Sequence, residues 1–122
     1  MARILIVDDS GTSRMMAQMA LAGECFQLVT ANDGVEALDQ ARRHHPDLIL
    51  LDIIMPRMDG FEVCQRLRAE AETRETPILM ITTRGEETNV ERGYEVGCTD
   101  YICKPFIPAE LLEKIRFFLP RG

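Results

Sequence analysis

The stretch PDLILLDIIMPRMDG, from Pro46 to Gly60, decides the fold of this 122-residue chain. Its four consecutive apolar residues, 48–51, are too few for an independent helix, and they predict a strand that is buried on both faces, as in parallel sheets. Asp52 follows at the carboxyl end of this strand, which in open α/β sheets faces the crevice where ligands bind. The Asp59-Gly60 pair then turns the chain toward a helix. Asp52 is therefore the first candidate for the chemistry of the protein.

The composition indicates one compact domain without a linker. A chain of this length can bury a core of its own. Its formal net charge is -6, and its Lys and Arg residues form no stripe, which argues against direct nucleic-acid binding. With no signal-peptide pattern and no apolar run of membrane-spanning length, we predict a cytoplasmic protein without membrane insertion. The four cysteines form no CxxC pair and lie mostly in apolar contexts, typical of buried, reduced thiols.

Four further apolar segments predict strands, and helical patterns alternate with them. These strands are predicted at residues 4–7, 26–31, 77–81 and 101–103. Polar side chains follow three of them, namely those of Asp8-Asp9, of Thr82-Thr83 and of the lysine in Lys104-Pro105. Because strand and helix alternate five times, the sequence predicts an α/β fold with a single doubly wound, five-stranded parallel sheet and helices on both faces.

The first three helices are predicted from apolar residues at helical spacing and from capping residues. The apolar stripe of the first helix comprises Met15, Met16, Met19 and Ala20, and we interpret these methionines as core. The second and third helices each begin with an aspartate that a glutamate follows three residues later, the pattern of a capping box. These pairs are Asp33 with Glu36 and Asp59 with Glu62. The inward positions predicted for the third helix are Val63, Cys64, Leu67 and Ala71.

The fourth helix is the weakest predicted element. Residues 84–96 are polar almost throughout, and Gly93 and Gly97 break the pattern, so we expect a loosely anchored helix. The last helix begins at Pro108, a tolerated first position, but Ile107 stands where a hydroxyl cap is expected.

The polar residues at the strand ends form one constellation, because all carboxyl ends of a doubly wound sheet lie along one edge. Its members are Asp8, Asp9, Asp52, Thr82 and Lys104. Crowded carboxylates require a cation, and Mg²⁺, which keeps several of its waters, is the natural one, although one of the adjacent acids could instead cap the following helix. Asp52 is then a nucleophile that attacks a phosphoryl group in line, while Mg²⁺ and Lys104 neutralise the equatorial oxygens. A carboxylate that is ionised at neutral pH needs no general base.

Over residues 4 to about 119, the chain resembles the receiver domains of two-component response regulators, in particular those of the chemotaxis-regulator type. The residues that carry the resemblance are Asp8-Asp9, Asp52, Met55-Pro56, Asp59-Gly60, Thr82, Tyr101 and Lys104-Pro105-Phe106. The resemblance implies a flavodoxin-like sheet with strand order 2-1-3-4-5, and one receiver, or phosphoacceptor, domain over residues 1–122. It also implies a cis peptide bond between Lys104 and Pro105.

The resemblance further implies a signalling role rather than an enzymatic one. Asp52 is expected to accept the phosphoryl group of a phosphohistidine, which a sensor histidine kinase or a phosphotransfer protein supplies. Mg²⁺ is expected to be bound by Asp9, Asp52 and the backbone carbonyl of Ile54, with Asp8 acting through water.

The same resemblance implies a switch at the fourth and fifth strands. The Thr82 hydroxyl is expected to move toward the phosphoryl group, and the Tyr101 ring is expected to move into the vacated space. These movements change the surface formed by the fourth helix, the fifth strand and the fifth helix, and thereby control a downstream protein or a fused output domain. Whether two copies also pair through this surface is left open.

Three positions beside the site are candidate modulators of the lifetime of the phosphoryl group. Thr83 is bulkier than the small residue that is usual after the switch threonine, and Ile54 and Arg84 occupy variable positions that flank the site. We hypothesise that they narrow the path of water, with Arg84 pairing with the phosphate or with a nearby acid.

Three other functions fit parts of the pattern. A phosphatase or phosphotransferase for small metabolites typically has two acids separated by one residue after the first strand and a cap domain, whereas the acids here are adjacent and no cap is present. A flavodoxin-like cofactor binder needs a Gly-rich loop after the first strand, which is missing. A receiver-fold interaction module that works without phosphorylation usually lacks a site residue, and none is lost here.

Overall fold

A computed structural model describes residues 1–83 and 87–119 of the chain, without the side chains of residues 83 and 87–89. Within these residues, five strands alternate with five helices. The strands are β1 (Ala2–Val7), β2 (Phe26–Ala31), β3 (Leu48–Asp52), β4 (Ile78–Thr83) and β5 (Asp100–Lys104). The helices are α1 (Gly11–Leu21), α2 (Gly34–His44), α3 (Gly60–Ala69), α4 (Glu87–Glu95) and α5 (Pro108–Phe118).

The strands form one parallel sheet in the order β2-β1-β3-β4-β5, which confirms the predicted fold class. β3 lies at the centre, and all five of its residues are buried. The register aligns Val7 with Leu51 and aligns Asp52 with Ile81, so the carboxyl ends of the three central strands lie side by side. This alignment brings the polar residues at the strand ends to one edge.

The core lies in two layers, one on each face of the sheet. Alternate residues of β3 enter alternate layers, because successive side chains of a strand point to opposite faces. Ile49 and Leu51 pack with α2 and α3, and Leu48 and Leu50 pack with α1 and α5. In the described part of the chain, no helix is both long enough and apolar enough to cross a membrane.

The predicted starts of the helices are confirmed where capping residues define them. The carboxylates of Asp33 and Asp59 accept hydrogen bonds from the N–H groups of Glu36 (2.7 Å) and Glu62 (3.0 Å). The last helix begins at Pro108 after an Ile107 that makes no side-chain cap, as predicted.

The prediction that the methionines of the first helix are core was wrong. Met15, Met16 and Met19 are exposed, Met19 by 71%, and α1 buries Ala17 and Leu21 instead. Two apolar stripes compete on this helix. The stripe that contains the small Ala17 faces the sheet, because a methyl side chain lets the helix approach the strands closely.

Two other details of the helices differ from the sequence-based expectation. Gly93 does not interrupt α4 but lies inside it, where a Cβ atom would be 2.8 Å from the sulfur of Met80. This glycine therefore permits close packing of α4 on β4. Ala71 is exposed rather than buried, because α3 ends at Ala69 and the next residues form a turn.

The expectation of buried thiols holds for two of the four cysteines. Cys64 and Cys98 are buried, whereas Cys25 is exposed and Cys103 is half-buried. Burial raises the pKa of Cys64 to about 11 and that of Cys98 to about 12, so both buried thiols stay protonated at neutral pH. They are core residues rather than reactive groups.

Gly60 begins α3 directly behind the strand that carries Asp52. Its N–H donates to the carbonyl oxygen of Ile53 at 2.8 Å, and a Cβ atom at Gly60 would be 2.4 Å from the carbonyl oxygen of Asp52. We expect Gly60→Ala to lower the free energy of unfolding by about 3 kcal/mol, because the clash involves backbone atoms that cannot turn aside. Urea unfolding measures the change.

Gly23→Ala is the matched control for this substitution. A Cβ atom at Gly23 meets nothing within 4 Å, so we expect a change below about 0.5 kcal/mol. Equal unfolding free energies for the two variants would show that the close contact at Gly60 is not a constraint on the fold.

Candidate functional site

Three of the candidate residues lie at the carboxyl ends of three different strands. Asp8 follows β1, Asp52 ends β3 and Lys104 ends β5. The Nζ atom of Lys104 lies 3.0 Å from Oδ2 of Asp8 and 3.5 Å from Oδ2 of Asp52. Residues that are far apart in sequence are thus in contact at one edge of the sheet. The Lys104-Pro105 peptide bond is cis.

Three carboxylates meet beside this lysine. Asp8, Asp9 and Asp52 each offer one oxygen atom, and these atoms lie within 4.8 Å of one another. Asp8 and Asp52 are only 1% and 7% exposed, whereas Asp9 is exposed. The cluster is therefore buried at Asp8 and Asp52 and accessible to solvent at Asp9.

This donor set fits Mg²⁺. Oxygen atoms bound to one Mg²⁺ at about 2.0–2.1 Å lie at most roughly 4.2 Å apart, so small side-chain movements would bring the three carboxylates to one ion. The exposed side of Asp9 leaves room for the water molecules that Mg²⁺ retains. These residues can hold a hard divalent cation.

The surroundings of Asp52 raise the pKa of its carboxyl group. Burial raises the pKa of this carboxyl group to about 6, and the charge of Asp8 adds to the shift. Lys104 and the N–H of Ile54, which lies 3.4 Å from Oδ1 of Asp52, act in the opposite direction. A cation at the cluster would favour the ionised carboxylate, which is the nucleophilic form.

The charge of Lys104 is stabilised by the acids. Burial lowers the pKa of Lys104, but its hydrogen bond to Asp8 and the charge of Asp52 outweigh burial, so the net shift is upward. The lysine therefore remains a cation at neutral pH and offers up to three N–H donors to oxygen atoms.

Asp8 is held in place by its neighbours on α1. Its Oδ1 accepts from the N–H of Ser10 at 2.9 Å, and its carbonyl oxygen accepts from Arg14 at 2.6 Å. The N-cap of α1 is Ser10, whose hydroxyl accepts from the N–H of Ser13. Neither acid of the Asp8-Asp9 pair is thus the N-cap of this helix.

Thr82 and Tyr101 line the same small gap in the packing. Thr82 is 3% exposed near the end of β4, and Tyr101 is half-buried in β5. The gap is also lined by Ile53, Met80, Val90, Gly93 and Cys98, and it is too small to hold a water molecule.

Of the three candidate modulators of the phosphoryl lifetime, only Ile54 has a described side chain. Ile54 is 59% exposed beside Asp52. The side chain of Thr83 and all of Arg84 lie outside the described residues, so their predicted roles stay predictions.

Sequence reasoning missed Ser13. Its Oγ atom lies 3.4 Å from Nζ of Lys104, and the two residues line an apolar groove with Met16, Pro105 and Phe106. The signal was available, because Ser13 is in the first turn of the helix that follows the acid pair.

The sheet order and the acidic edge define the class as flavodoxin-like, doubly wound α/β proteins with a carboxylate cluster at the carboxyl ends of the strands. A family model of the response regulator receiver domain matches residues 4–116, and the chain belongs to this family. The predicted resemblance is thus confirmed.

Two relatives are transcriptional regulatory proteins. ResD of Bacillus subtilis (strain 168) is 42% identical over 120 residues, which are 98% of this chain and 49% of the relative. SrrA of Staphylococcus aureus (strain NCTC 8325 / PS 47) is 43% identical over 118 residues, which are 97% of this chain and 48% of the relative. The chain thus spans about half the length of these relatives.

Solved structures of response regulators have the same fold. A putative response regulator from Chloroflexus aurantiacus J-10-fl has a TM-score of 0.94 and 37% identity, and the match covers 98% of both chains. Chemotaxis protein CheY4 of Vibrio cholerae has a TM-score of 0.92 and 39% identity over 98% of this chain and 99% of that protein. The family consists of signalling proteins rather than of conventional enzymes, and its receivers interact with histidine kinases and output domains and generally bind Mg²⁺ at an aspartate cluster.

Proposed function

We propose that this chain is a phosphorylation-controlled signalling switch. It accepts a phosphoryl group onto Asp52 from the phosphohistidine of a sensor histidine kinase or phosphotransfer protein, in a Mg²⁺-dependent reaction in the cytoplasm. The observation that carries the proposal is the contact of Lys104 with two buried acids, at 3.0 Å from Asp8 and 3.5 Å from Asp52. Burial of two carboxylates side by side costs free energy, and ionisable groups in such surroundings are concentrated at functional sites.

The chemical step is an in-line transfer. An oxygen atom of the Asp52 carboxylate forms a bond to phosphorus while the bond from phosphorus to the histidine nitrogen breaks, and the electron pair leaves with the imidazole. Lys104 is already within reach of Asp52, so its ammonium can bind a phosphoryl oxygen of the product. When bound, Mg²⁺ supplies further positive charge to the phosphoryl oxygens.

The ligands proposed for Mg²⁺ are Asp9, Asp52 and the carbonyl of Ile54, with Asp8 acting through water. Both oxygens of Asp8 already accept hydrogen bonds, one from the N–H of Ser10 and one from Lys104. A direct bond from Asp8 to the ion would compete with these contacts, which supports a water-mediated role for this acid.

The position of Thr82 and Tyr101 beside the same gap supports a switch. The Thr82 hydroxyl moves toward the new phosphoryl group, and the Tyr101 ring moves into the space that Thr82 vacates. The surface of α4, β5 and α5 changes with it and controls a partner protein or a fused output domain. Pairing of two copies through this surface, and the lack of direct nucleic-acid binding, stay predictions.

Incubation with Mg²⁺ and either ³²P-labelled acetyl phosphate or a phosphorylated histidine-kinase domain tests the proposal. We expect covalent label on the peptide that contains Asp52. Absence of label with both donors would overturn the proposal and would favour the alternative, a receiver-fold interaction module that works without phosphorylation.

The exposed methionines of α1 provide a docking surface for the donor protein. The groove between Met16, Phe106 and Lys104 has a volume of about 280 Å³ and adjoins the site, and Met15 and Met19 are further exposed methionines of the same helix. A donor that presents a histidine to Asp52 is expected to contact this groove. Flexible thioether side chains are suited to such contacts.

We expect Met16→Lys to slow phosphotransfer from a kinase domain about ten-fold or more, because a charge would have to be buried under the donor. Labelling by acetyl phosphate, which needs no docking surface, is expected to stay within two-fold. Val35→Lys is the matched control, because Val35 is an exposed residue of α2, which packs on the opposite face of the sheet. Equal slowing by both variants would exclude α1 as the docking surface.

A further inference from the structure

A hydrogen-bond network joins α4, β5 and α5 around one carboxylate. Oδ1 of Asp100 accepts from the hydroxyl of Tyr94 at 3.0 Å and from the N–H of Tyr101 at 2.8 Å. Oδ2 of the same residue accepts from Nζ of Lys114 at 2.8 Å. Asp100 thus fixes the positions of Tyr94 and Lys114 relative to the backbone of Tyr101.

Both partners of Asp100 also contact the ring of Tyr101. The rings of Tyr94 and Tyr101 make an edge contact, with their centroids 6.2 Å apart and their planes at 83°. Nζ of Lys114 lies 5.6 Å from the centroid of the Tyr101 ring, within the range of a cation–π interaction. The ring is therefore held by two side chains that one carboxylate anchors.

The gap that Tyr101 shares with Thr82 is lined mostly by apolar residues and is too small to hold a water molecule. Inward movement of the Tyr101 ring therefore requires both the release of its contacts to Tyr94 and Lys114 and a shift of Thr82.

The network is intact at neutral pH. Burial, and then the hydrogen bond to Asp100, raise the pKa of Tyr94 to about 12, so its hydroxyl remains a donor. Burial alone would raise the pKa of Asp100, but the hydrogen bonds from Lys114, from the N–H of Tyr101 and from Tyr94 outweigh it, and the net shift is downward. Asp100 thus remains an acceptor.

We propose that Tyr94 is a positioning residue for Tyr101, whose ring it holds away from Thr82 through its own hydrogen bond to Asp100. The inference rests on the proposed function, in which inward movement of Tyr101 signals phosphorylation. Only a contact that differs between two conformations changes their populations. The structure contains the edge contact with the anchored Tyr94 ring, and inward movement of Tyr101 would break it, so this contact sets the threshold of the switch.

The chain contains two tyrosines, which makes a direct test practical. Protein labelled with 3-fluorotyrosine gives two ¹⁹F resonances, and Tyr94→Phe removes one and thereby assigns the other to Tyr101. Phenylalanine keeps the aromatic ring and removes only the hydroxyl. Relaxation by a neutral soluble nitroxide then reports how exposed the Tyr101 ring is.

In Tyr94→Phe without a phosphodonor, we expect the relaxation caused by the nitroxide at Tyr101 to fall. The inward population of the ring is expected to rise about five-fold relative to the outward population, because a ring without its hydrogen bond to Asp100 no longer holds the edge contact with Tyr101. Addition of Mg²⁺ and acetyl phosphate is expected to move the wild-type resonance in the same direction. Lys114→Met is expected to act in the same sense, and the double variant to show less than the sum of the two effects, because both side chains act through Asp100.

Unchanged nitroxide relaxation of Tyr101 in Tyr94→Phe would overturn the inference. This readout needs no phosphoryl group, so it is separate from the test of the proposed function, which is the labelling of Asp52. A labelled Asp52 with an unaltered Tyr101 in the variant refutes the positioning role alone.

Discussion

Replacement of Asp52 by Asn is expected to abolish phosphorylation, with a loss of at least about 1,000-fold in covalent label from acetyl phosphate or a kinase domain. The amide nitrogen and oxygen are poor nucleophiles compared with an ionised carboxylate, and Asp52 is the residue that ends the central strand. Quantitative ³²P incorporation with peptide mapping measures the loss.

Asp59→Asn is the matched control, because it makes the same chemical change a few residues further along the same loop. Asp59 is the N-cap of α3, and asparagine is an equally good N-cap. We expect this variant to be labelled within two-fold of the wild type. If the Asp52→Asn variant still carried substantial label, attached to Asp8 or Asp9, the cluster rather than one acid would be the acceptor of the phosphoryl group.

Asp52→Asn is also expected to stabilise the metal-free fold. Because the pKa of Asp52 is raised to about 6 in the folded state, the folded protein binds this proton more tightly than the unfolded chain does. Stability is therefore lost as the pH rises from about 4 to above 6. In EDTA at pH 8 we expect Asp52→Asn to be more stable by roughly 1–2 kcal/mol, with no difference near pH 3. A variant that is less stable at pH 8 would contradict this electrostatic account.

The sequence was sufficient to predict the convergence of Asp8, Asp52 and Lys104. Each follows a short apolar run that predicts a buried parallel strand. Parallel strands of one sheet place their carboxyl ends on the same edge, independent of the conformation of the loops between them. The position of these groups therefore depends on pattern and topology and not on details of packing.

The orientation of α1 and the Tyr94 network could not be predicted in this way. The methionines and Ala17 offered two apolar stripes on one helix, and the choice between them depended on how closely the backbone approaches the sheet. The network around Asp100 needs three side chains from α4, β5 and α5 at fixed rotations. Periodicity assigns residues to faces but does not fix such rotations.

Removal of Mg²⁺ is expected to have the second large effect. In EDTA we expect labelling of Asp52 by acetyl phosphate to fall at least about 100-fold, because a phosphoryl group would bring further negative charge to the oxygens of Asp8, Asp9 and Asp52, which already lie within 4.8 Å of one another. Mg²⁺ is also expected to stabilise the fold, by about 2.7 kcal/mol when its concentration is 100 times the dissociation constant.

Asp9→Asn distinguishes the loss of a Mg²⁺ ligand from the effect of removing one negative charge on the stability of the fold. Asp9 is exposed, so its replacement is expected to leave the unfolding free energy in EDTA nearly unchanged while it removes most of the stabilisation by Mg²⁺ and most of the labelling. Asp33→Asn, which changes an N-cap aspartate of α2 to another good cap, is expected to keep the full response. Thermal unfolding across a magnesium titration measures both variants. Labelling that persists in EDTA, or an undiminished response in Asp9→Asn, would show that the acidic edge works without the ion or binds it through other groups.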